Sequence, residues 1–239
     1  MKPLDGRKAR GDESRRAVLA RAVDIASVNG LEGLTIGRLA AEVSASKSGV
    51  AALFGTKEQL QLAAIETARG IFTASAIDPA RTQPRGLRRL CALLRSWIDY
   101  SADRVFEGGC FFFAVSAEFD SRPGVVHDAI VRAVDERDAY IAANIGHAVD
   151  QGELLDTTVS RQLVFELTAL IEASNSYSLL RMSAEPYEFA RRGVVSRLLA
   201  SGANMTVLAE AGLVDPVPGE PGTGRPYPPR SAVPNSLRK

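Results

Sequence analysis

Residues 35–60 read TIGRLAAEVSASKSGVAALFGTKEQL, and the fold follows from how this stretch breaks. Thr35 is a natural N-cap, and Ile36 to Val43 has helical apolar spacing behind it. Ser44-Ala45-Ser46 is a tight break, after which a second short helix runs from about Lys47 to Leu53. Gly55-Thr56 ends it, and Thr56 caps a longer helix from Lys57 to about Ala76, with Glu58 in the first turn. Ile36, Leu39, Ala40, Val43, Val50, Leu53 and Phe54 would lock the two short helices to their neighbours, Ala40 being small where they approach closely. Ser46, Lys47, Ser48, Gly49, Ala51 and Ala52 then lie on or near the free face of the second helix. Two short helices joined by a tight turn, with a helix in front to support them, form a helix-turn-helix. In that arrangement the second helix enters the DNA major groove.

Upstream, Asp12-Glu13-Ser14 carries helix-start chemistry, and Val18, Ala22, Ile25 and Ala26 form an apolar stripe. Asn29-Gly30 ends that helix, with Gly30 as the left-handed residue. Downstream the pattern stays helical. Asp78-Pro79 and Gln83-Pro84 bound a loop. A helix from about Gly86 to Val105 follows, with Leu87, Leu90, Leu94, Trp97 and Ile98 on one face. After Gly108-Gly109, the apolar run Cys110 to Phe119 reads as a short buried helix. Arg122-Pro123-Gly124 is a turn, and long helices then reach about Asp150, run from Ser160 to Met182, and run from Pro186 to about Ala200. Seven of the twelve prolines lie beyond Val214, so the expected domains are a flexible basic arm at 1–11, the helix-turn-helix domain at 12–60, a helical domain at 61–213 and a disordered Pro/Gly-rich tail at 214–239. The fold class is all-α.

The ordered set Gly30-Leu31, Thr35-Ile36-x-x-Leu39-Ala40, Val43-Ser44, Ser46-Lys47-x-Gly49-Val50 and Leu53-Phe54-Gly55-Thr56-Lys57-Glu58-x-Leu60 resembles the DNA-binding domain of the TetR family of bacterial regulators. The match in order and spacing spans about Ser14 to Leu60. The resemblance implies a homodimeric repressor that binds double-stranded operator DNA in the cytoplasm and is released by a small apolar or amphipathic effector. It implies DNA contacts from Thr35, Ser46, Lys47, Ser48, Gly49, Ala51, Ala52 and Lys57, with Thr35 and Lys57 on phosphates at helix starts. The chain departs from the family at Ala51 and Ala52, where an aromatic residue and a histidine or aromatic are usual. Alanines can still touch thymine methyls.

The resemblance also implies an effector pocket and a dimer interface in the helical domain. Candidate pocket walls are Trp97, Phe111, Phe112, Phe113, Phe119, Phe165 and Tyr177, with Glu118, His127, Asn144 and His147 as polar anchors; core packing is the competing reading for the aromatics. Candidate dimer residues are Leu163, Leu167, Leu170, Ile171, Ser174 and Ser178 on one helix, and Phe189, Val194, Val195 and Leu198 on the next, with intramolecular core again the competing reading.

Net charge is only +1, but residues 1–60 hold ten Lys/Arg against seven Asp/Glu, and the remainder 19 against 21. The excess gathers in Lys2, Arg7, Lys8, Arg10, Arg15, Arg16 and Arg21, a basic arm able to neutralise phosphates or simply to be solvated. No run approaches the ~18 apolar residues of a membrane span, and the polar, basic start does not read as a signal peptide. Ser44-Ala45-Ser46-Lys47 matches S-x-x-K, but its companion nucleophile motifs are absent, as are GxSxG, Walker A and HExxH, so neither catalysis nor a metal or cofactor is expected. Cys91 and Cys110 form no CxxC pair and lie in apolar stretches, which makes a redox sensor the weaker alternative; an activator of the same fold is the other.

Overall fold

The computed structural model describes residues 4–214, and every regular element in them is helical. In chain order these are α1 (Leu4–Asn29), α2 (Ile36–Glu42), α3 (Lys47–Phe54), α4 (Lys57–Phe72), a π-helical turn (Thr73–Ile77), α5 (Asp78–Arg81), α6 (Leu87–Ala102), α7 (Phe111–Phe119), α8 (Val125–Asp150), α9 (Ser160–Arg181), α10 (Glu185–Ala200) and α11 (Met205–Glu210). No helix among the described residues is long and apolar enough to cross a membrane. The described chain divides into two compact units, one of residues 4–70 and 106–132, the other of 71–105 and 133–214. That grouping differs from the expected boundary at 60/61, because α7 and the start of α8 join the N-terminal helices.

Three boundaries correct the sequence expectations. Helix α1 begins at Leu4, inside the stretch expected to be a flexible arm. Once a helix is nucleated each further residue adds a hydrogen bond, and Arg7 to Arg10 are good helix formers. The expected loop at Asp78-Pro79 is instead the short α5, with Pro79 in its first turn, where its missing N–H removes no helical bond. Helix α11 was not foreseen; Asn204 caps it by accepting the Thr206 N–H at 2.8 Å. The expected tail lies outside the described residues, apart from Val214.

In the first unit, α1 buries Val18, Ala22, Val23, Ile25 and Ala26. Gly30, with φ 71°, ends it as expected. Three polar ties fasten the 106–119 segment to α1 and the turn after it. Arg21 Nη1 donates to Glu107 at 2.8 Å, the Gly108 N–H donates to Ser27 Oγ at 3.0 Å, and Glu118 accepts the N–H groups of Leu31 and Glu32 at 2.6 and 2.9 Å. Phe111 and Phe112 meet edge to face at 5.3 Å and are buried, while Phe113 is half-buried, as the helical phase of three successive residues requires.

In the second unit α6 is central. Its apolar face buries Leu87, Leu90, Leu94, Trp97 and Ile98 as read from the sequence, and Cys91, Leu93 and Tyr100 besides. Phe72 stands edge-on to Trp97 at 5.7 Å and to Tyr100 at 5.4 Å. Helices α9 and α10 pack on each other and on α6. Leu163, Leu167, Ile171, Ser174, Ser178, Val194 and Leu198, expected at a dimer interface, are buried here within the single chain. Leu170 and Val195 are half-buried, Leu170 lying beside Gly193 of α10. An apolar stripe cannot by itself distinguish a partner helix of the same chain from one of another chain.

The tie between Gly108 and α1 leaves no room for a side chain, since a Cβ on Gly108 would overlap the Ser27 carbonyl. Gly108→Ala is expected to destabilise the protein by about 1–3 kcal/mol, the range for overpacked sites. Urea unfolding checks it, with a lower midpoint at unchanged slope.

Candidate nucleic-acid interface

The reading head is held by caps. Thr35 Oγ1 accepts the Arg38 N–H at 3.1 Å and starts α2. Ser44 takes the left-handed conformation, φ 52°, which turns the chain sharply between the helices. Ser46 Oγ accepts the Gly49 N–H at 3.0 Å and starts α3, and lies 3.2 Å from Ser48 Oγ. Leu39 and Ala40 of α2 and Val50 and Phe54 of α3 are buried, so the opposite faces are presented outward. Arg15 covers the Phe54 ring at 5.1 Å.

Ser46, Lys47, Ser48, Gly49 and Ala52 are exposed together, Ala51 is half-buried, and Thr35 is exposed at the start of α2. Lys47 has no ion-pair partner among the described residues. The other expected phosphate contact is already engaged, because Lys57 Nζ donates to Glu32 at 2.8 Å. That bond holds the Glu32 carboxyl below the ordinary carboxylate range. Exposed pairs of this kind contribute only about 0–1 kcal/mol, so a phosphate can displace the carboxylate. Arg38 donates to Asn29 at 2.7 Å and thereby joins α2 to the end of α1. Arg21 bridges Glu42 at 2.9 Å and Glu107 at 2.8 Å, which keeps its guanidinium firmly protonated.

The expected effector-pocket residues divide between the two units. Phe111, Phe112, Phe113, Glu118, Phe119 and His127 belong to the first unit; Trp97, Asn144, His147, Phe165 and Tyr177 belong to the second. Glu118 is spent on the amides of Leu31 and Glu32 and is no free anchor. His127 contacts its neighbour Asp128, and His147 is half-buried in the last turn of α8. Phe165 and Tyr177 are 69% and 51% exposed, so they wall no interior of this chain. Trp97 and Asn144 are buried. Buried beside them is a charge the sequence reading missed. Arg137 lies 4.6 Å over the Trp97 ring and donates to Asp138 at 2.9 Å and to Glu172 at 3.1 Å. Burial pushes the Glu172 carboxyl above its ordinary range, against the pull of Arg137. The signal was present in α8, where Arg137 and Asn144 fall on the same helical stripe as Ile130, Ala133, Ile141 and Ala148.

Both cysteines are buried and neither is in a disulfide among the described residues, and burial pushes the Cys91 thiol up to about 12, which does not suit a redox sensor. No cluster of His, Cys, Asp and Glu able to hold a metal occurs among the described residues.

A capped helix-turn-helix carried by an otherwise helical chain defines the class of DNA-binding regulators that read the major groove. Residues 86–194 match the family model of the tetracyclin repressor-like C-terminal domain. The fold is shared with a TetR transcriptional regulator of Chloroflexus aurantiacus, at 22% identity over 80% of this chain and 95% of that one, TM-score 0.72. It is shared with a TetR-family regulator of Agrobacterium tumefaciens, at 16% identity over 78% and 98%, TM-score 0.70. It is also shared with AibR, solved in complex with isovaleryl coenzyme A and operator DNA, at 18% identity over 68% and 85%, TM-score 0.58. No curated protein matches the chain in sequence. Residues 86–194 are thus similar to the tetracyclin repressor-like C-terminal domain, and the chain shares its fold with TetR-family transcriptional regulators.

Lys47→Ala is expected to weaken binding to specific and scrambled duplexes alike and to lower the salt slope of log K by about one. Glu32→Gln is expected to act oppositely, tightening binding at low salt by freeing Lys57; fluorescence anisotropy across a salt series checks both. Cys91 is expected to stay unmodified by Ellman's reagent at pH 8 in the native protein and to react at once in guanidinium.

Proposed function

We infer that the chain is a homodimeric repressor that grips operator DNA with α3 and lets go when a small molecule occupies its helical unit. The observation that carries the reading is α3 itself. It is capped by Ser46, buried on the Val50–Phe54 side and open on the side of Ser46, Lys47, Ser48 and Ala52. Free N–H groups and a lysine at its start suit a phosphate, and the alanine further along suits a thymine methyl. The chain's work on this reading is binding rather than catalysis, in the cytoplasm where such DNA lies. The AibR structure, which holds both operator DNA and an acyl coenzyme A, supports pairing a DNA head with an effector in this fold.

Dimerisation follows from how DNA is read. Two heads read half-sites one helical turn apart, ~34–36 Å. The second unit presents a face for it. Phe165, Ala169, Ala173 and Tyr177 recur every fourth residue along the outer side of α9, all exposed, with Phe189 on α10 54% exposed. Exposed aromatics at helical spacing are the mark of an unpartnered helix face. Of the residues expected from the sequence, Phe189 lies on this face, whereas Leu163, Leu167, Ile171, Ser174, Ser178, Val194 and Leu198 serve the chain's own core.

Titration of a duplex from the chain's own upstream region against a scrambled duplex is expected to show at least ~10³-fold preference for the former. Equal weak binding to both sinks the operator reading. Phe165→Asp combined with Phe189→Asp is expected to give monomers by analytical ultracentrifugation and to lose that preference while retaining helical circular dichroism. A double variant that stays dimeric sinks the assigned face.

A further inference from the structure

The second unit buries Trp97 Nε1, Ser101 Oγ, Tyr140 Oη, Asn144 Oδ1 and Thr168 Oγ1 without a hydrogen-bond partner among the described residues. Buried polar groups are almost always paired, so several left open together need an explanation. Their spacing supplies one. Trp97 and Ser101 are one turn apart on α6; Tyr140 and Asn144 are one turn apart on α8, following Arg137; Thr168 is one turn before Glu172 on α9. Residues three or four apart share a helix face.

Contacts show that these faces converge. Arg137 lies over the Trp97 ring at 4.6 Å, which turns the α8 face toward α6. Its Nη1 donates to Glu172 at 3.1 Å, which turns the α9 face toward α8. The Tyr187 hydroxyl closes the third side, lying 3.0 Å from the Ser101 carbonyl and 3.4 Å from Asn175 Oδ1. The helix faces that carry the unpaired atoms therefore turn toward one another among α6, α8 and α9, in the interior of the second unit.

The chemistry of that interior selects its occupant. The guanidinium of Arg137 is already taken by Asp138 and Glu172, so no positive charge is left to recruit an anion. Trp97, with Arg137 over its ring and Phe72 edge-on beside it, offers an aromatic wall. Trp97 Nε1 can only donate and asks for an acceptor, whereas Asn144 Oδ1 asks for a donor, since its amide nitrogen is engaged with the Tyr140 carbonyl at 2.9 Å. The Ser101, Tyr140 and Thr168 hydroxyls serve either way.

We propose that this interior binds an uncharged hydroxyaryl compound carrying a carbonyl or ester oxygen, its ring against Trp97 and its hydroxyl and carbonyl groups paired by the open polar atoms. The proposal rests on the effector-released reading of the chain and names that effector's chemical class.

Trp97 is the only tryptophan of the chain, so its emission reports the site directly. The full-length protein is titrated with ethyl 4-hydroxybenzoate, with the 4-hydroxybenzoate anion and with ethylbenzene. Saturable change with the ester, at least ten-fold tighter than with the other two, is the expected result. Thr168→Val and Asn144→Leu, which remove an open polar atom, are expected to keep or raise the melting temperature and to weaken the ester at least ten-fold. No saturation by the ester, equal response to all three probes, or unchanged ester affinity in both variants overturns the proposal. Anisotropy on the same samples separates the two readings. If DNA is bound and the ester is not, the site assignment falls while the regulator stands. If the ester binds as expected and leaves DNA affinity unchanged, the site stands while release by an effector falls.

Discussion

The Glu118 carboxylate accepts two successive main-chain N–H groups, those of Leu31 and Glu32, in the turn that joins α1 to α2, and the placement of the reading head follows from those bonds. A turn after a left-handed glycine leaves its amides without helical partners, and a charged acceptor is among the stronger ways to satisfy them. Gly30 must lack a side chain for the carboxylate to reach them, since a Cβ there would meet Glu118. With the Ser27–Gly108 bond and the Arg21–Glu107 pair, Glu118 makes α7 part of the unit that holds α2 and α3.

This explains what was legible in the sequence and what was not. Local chemistry was legible. Thr35 and Ser46 cap α2 and α3, Gly30 ends α1, and the Leu87-to-Ile98 face of α6 is buried, because each depends on neighbours within a turn or two. Long-range pairing was not. Glu118 was read as a ligand anchor because a lone carboxylate in an apolar helix suggests one, and nothing near it in sequence points to amides 87 residues away. Lys57 was read as a phosphate contact, and nothing near it in sequence points to its pair with Glu32, 25 residues away. Leu163, Leu167 and Ile171 carried a correct apolar pattern whose partner proved to be this chain's own core.

The two units use polar groups differently. In the first, buried and half-buried polar groups fasten backbone to side chain: Ser27 to Gly108, Gln61 to the Leu31 carbonyl at 2.8 Å, Glu118 to its two amides. Such bonds fix orientation, which a groove-reading helix needs. In the second, a buried arginine lies over an aromatic ring and pairs with two half-buried carboxylates, near several buried hydroxyls. Interiors that serve packing alone favour apolar atoms, because a desolvated polar group must be repaired by a partner. The first unit is built to hold a shape, and the second keeps polar atoms where packing alone gives no reason for them.

Arg21 gathers carboxylates from two distant places in the chain, Glu42 at the end of α2 and Glu107 ahead of α7, onto one guanidinium. α2, α1 and the 106–119 segment are therefore cross-braced at a single node, much as a truss is stiffened where its members meet. The node ties the orientation of α2 to that of α1 and the 106–119 segment. On the dimer reading, a shift in the distance between two such heads is then transmitted most directly by moving these elements together.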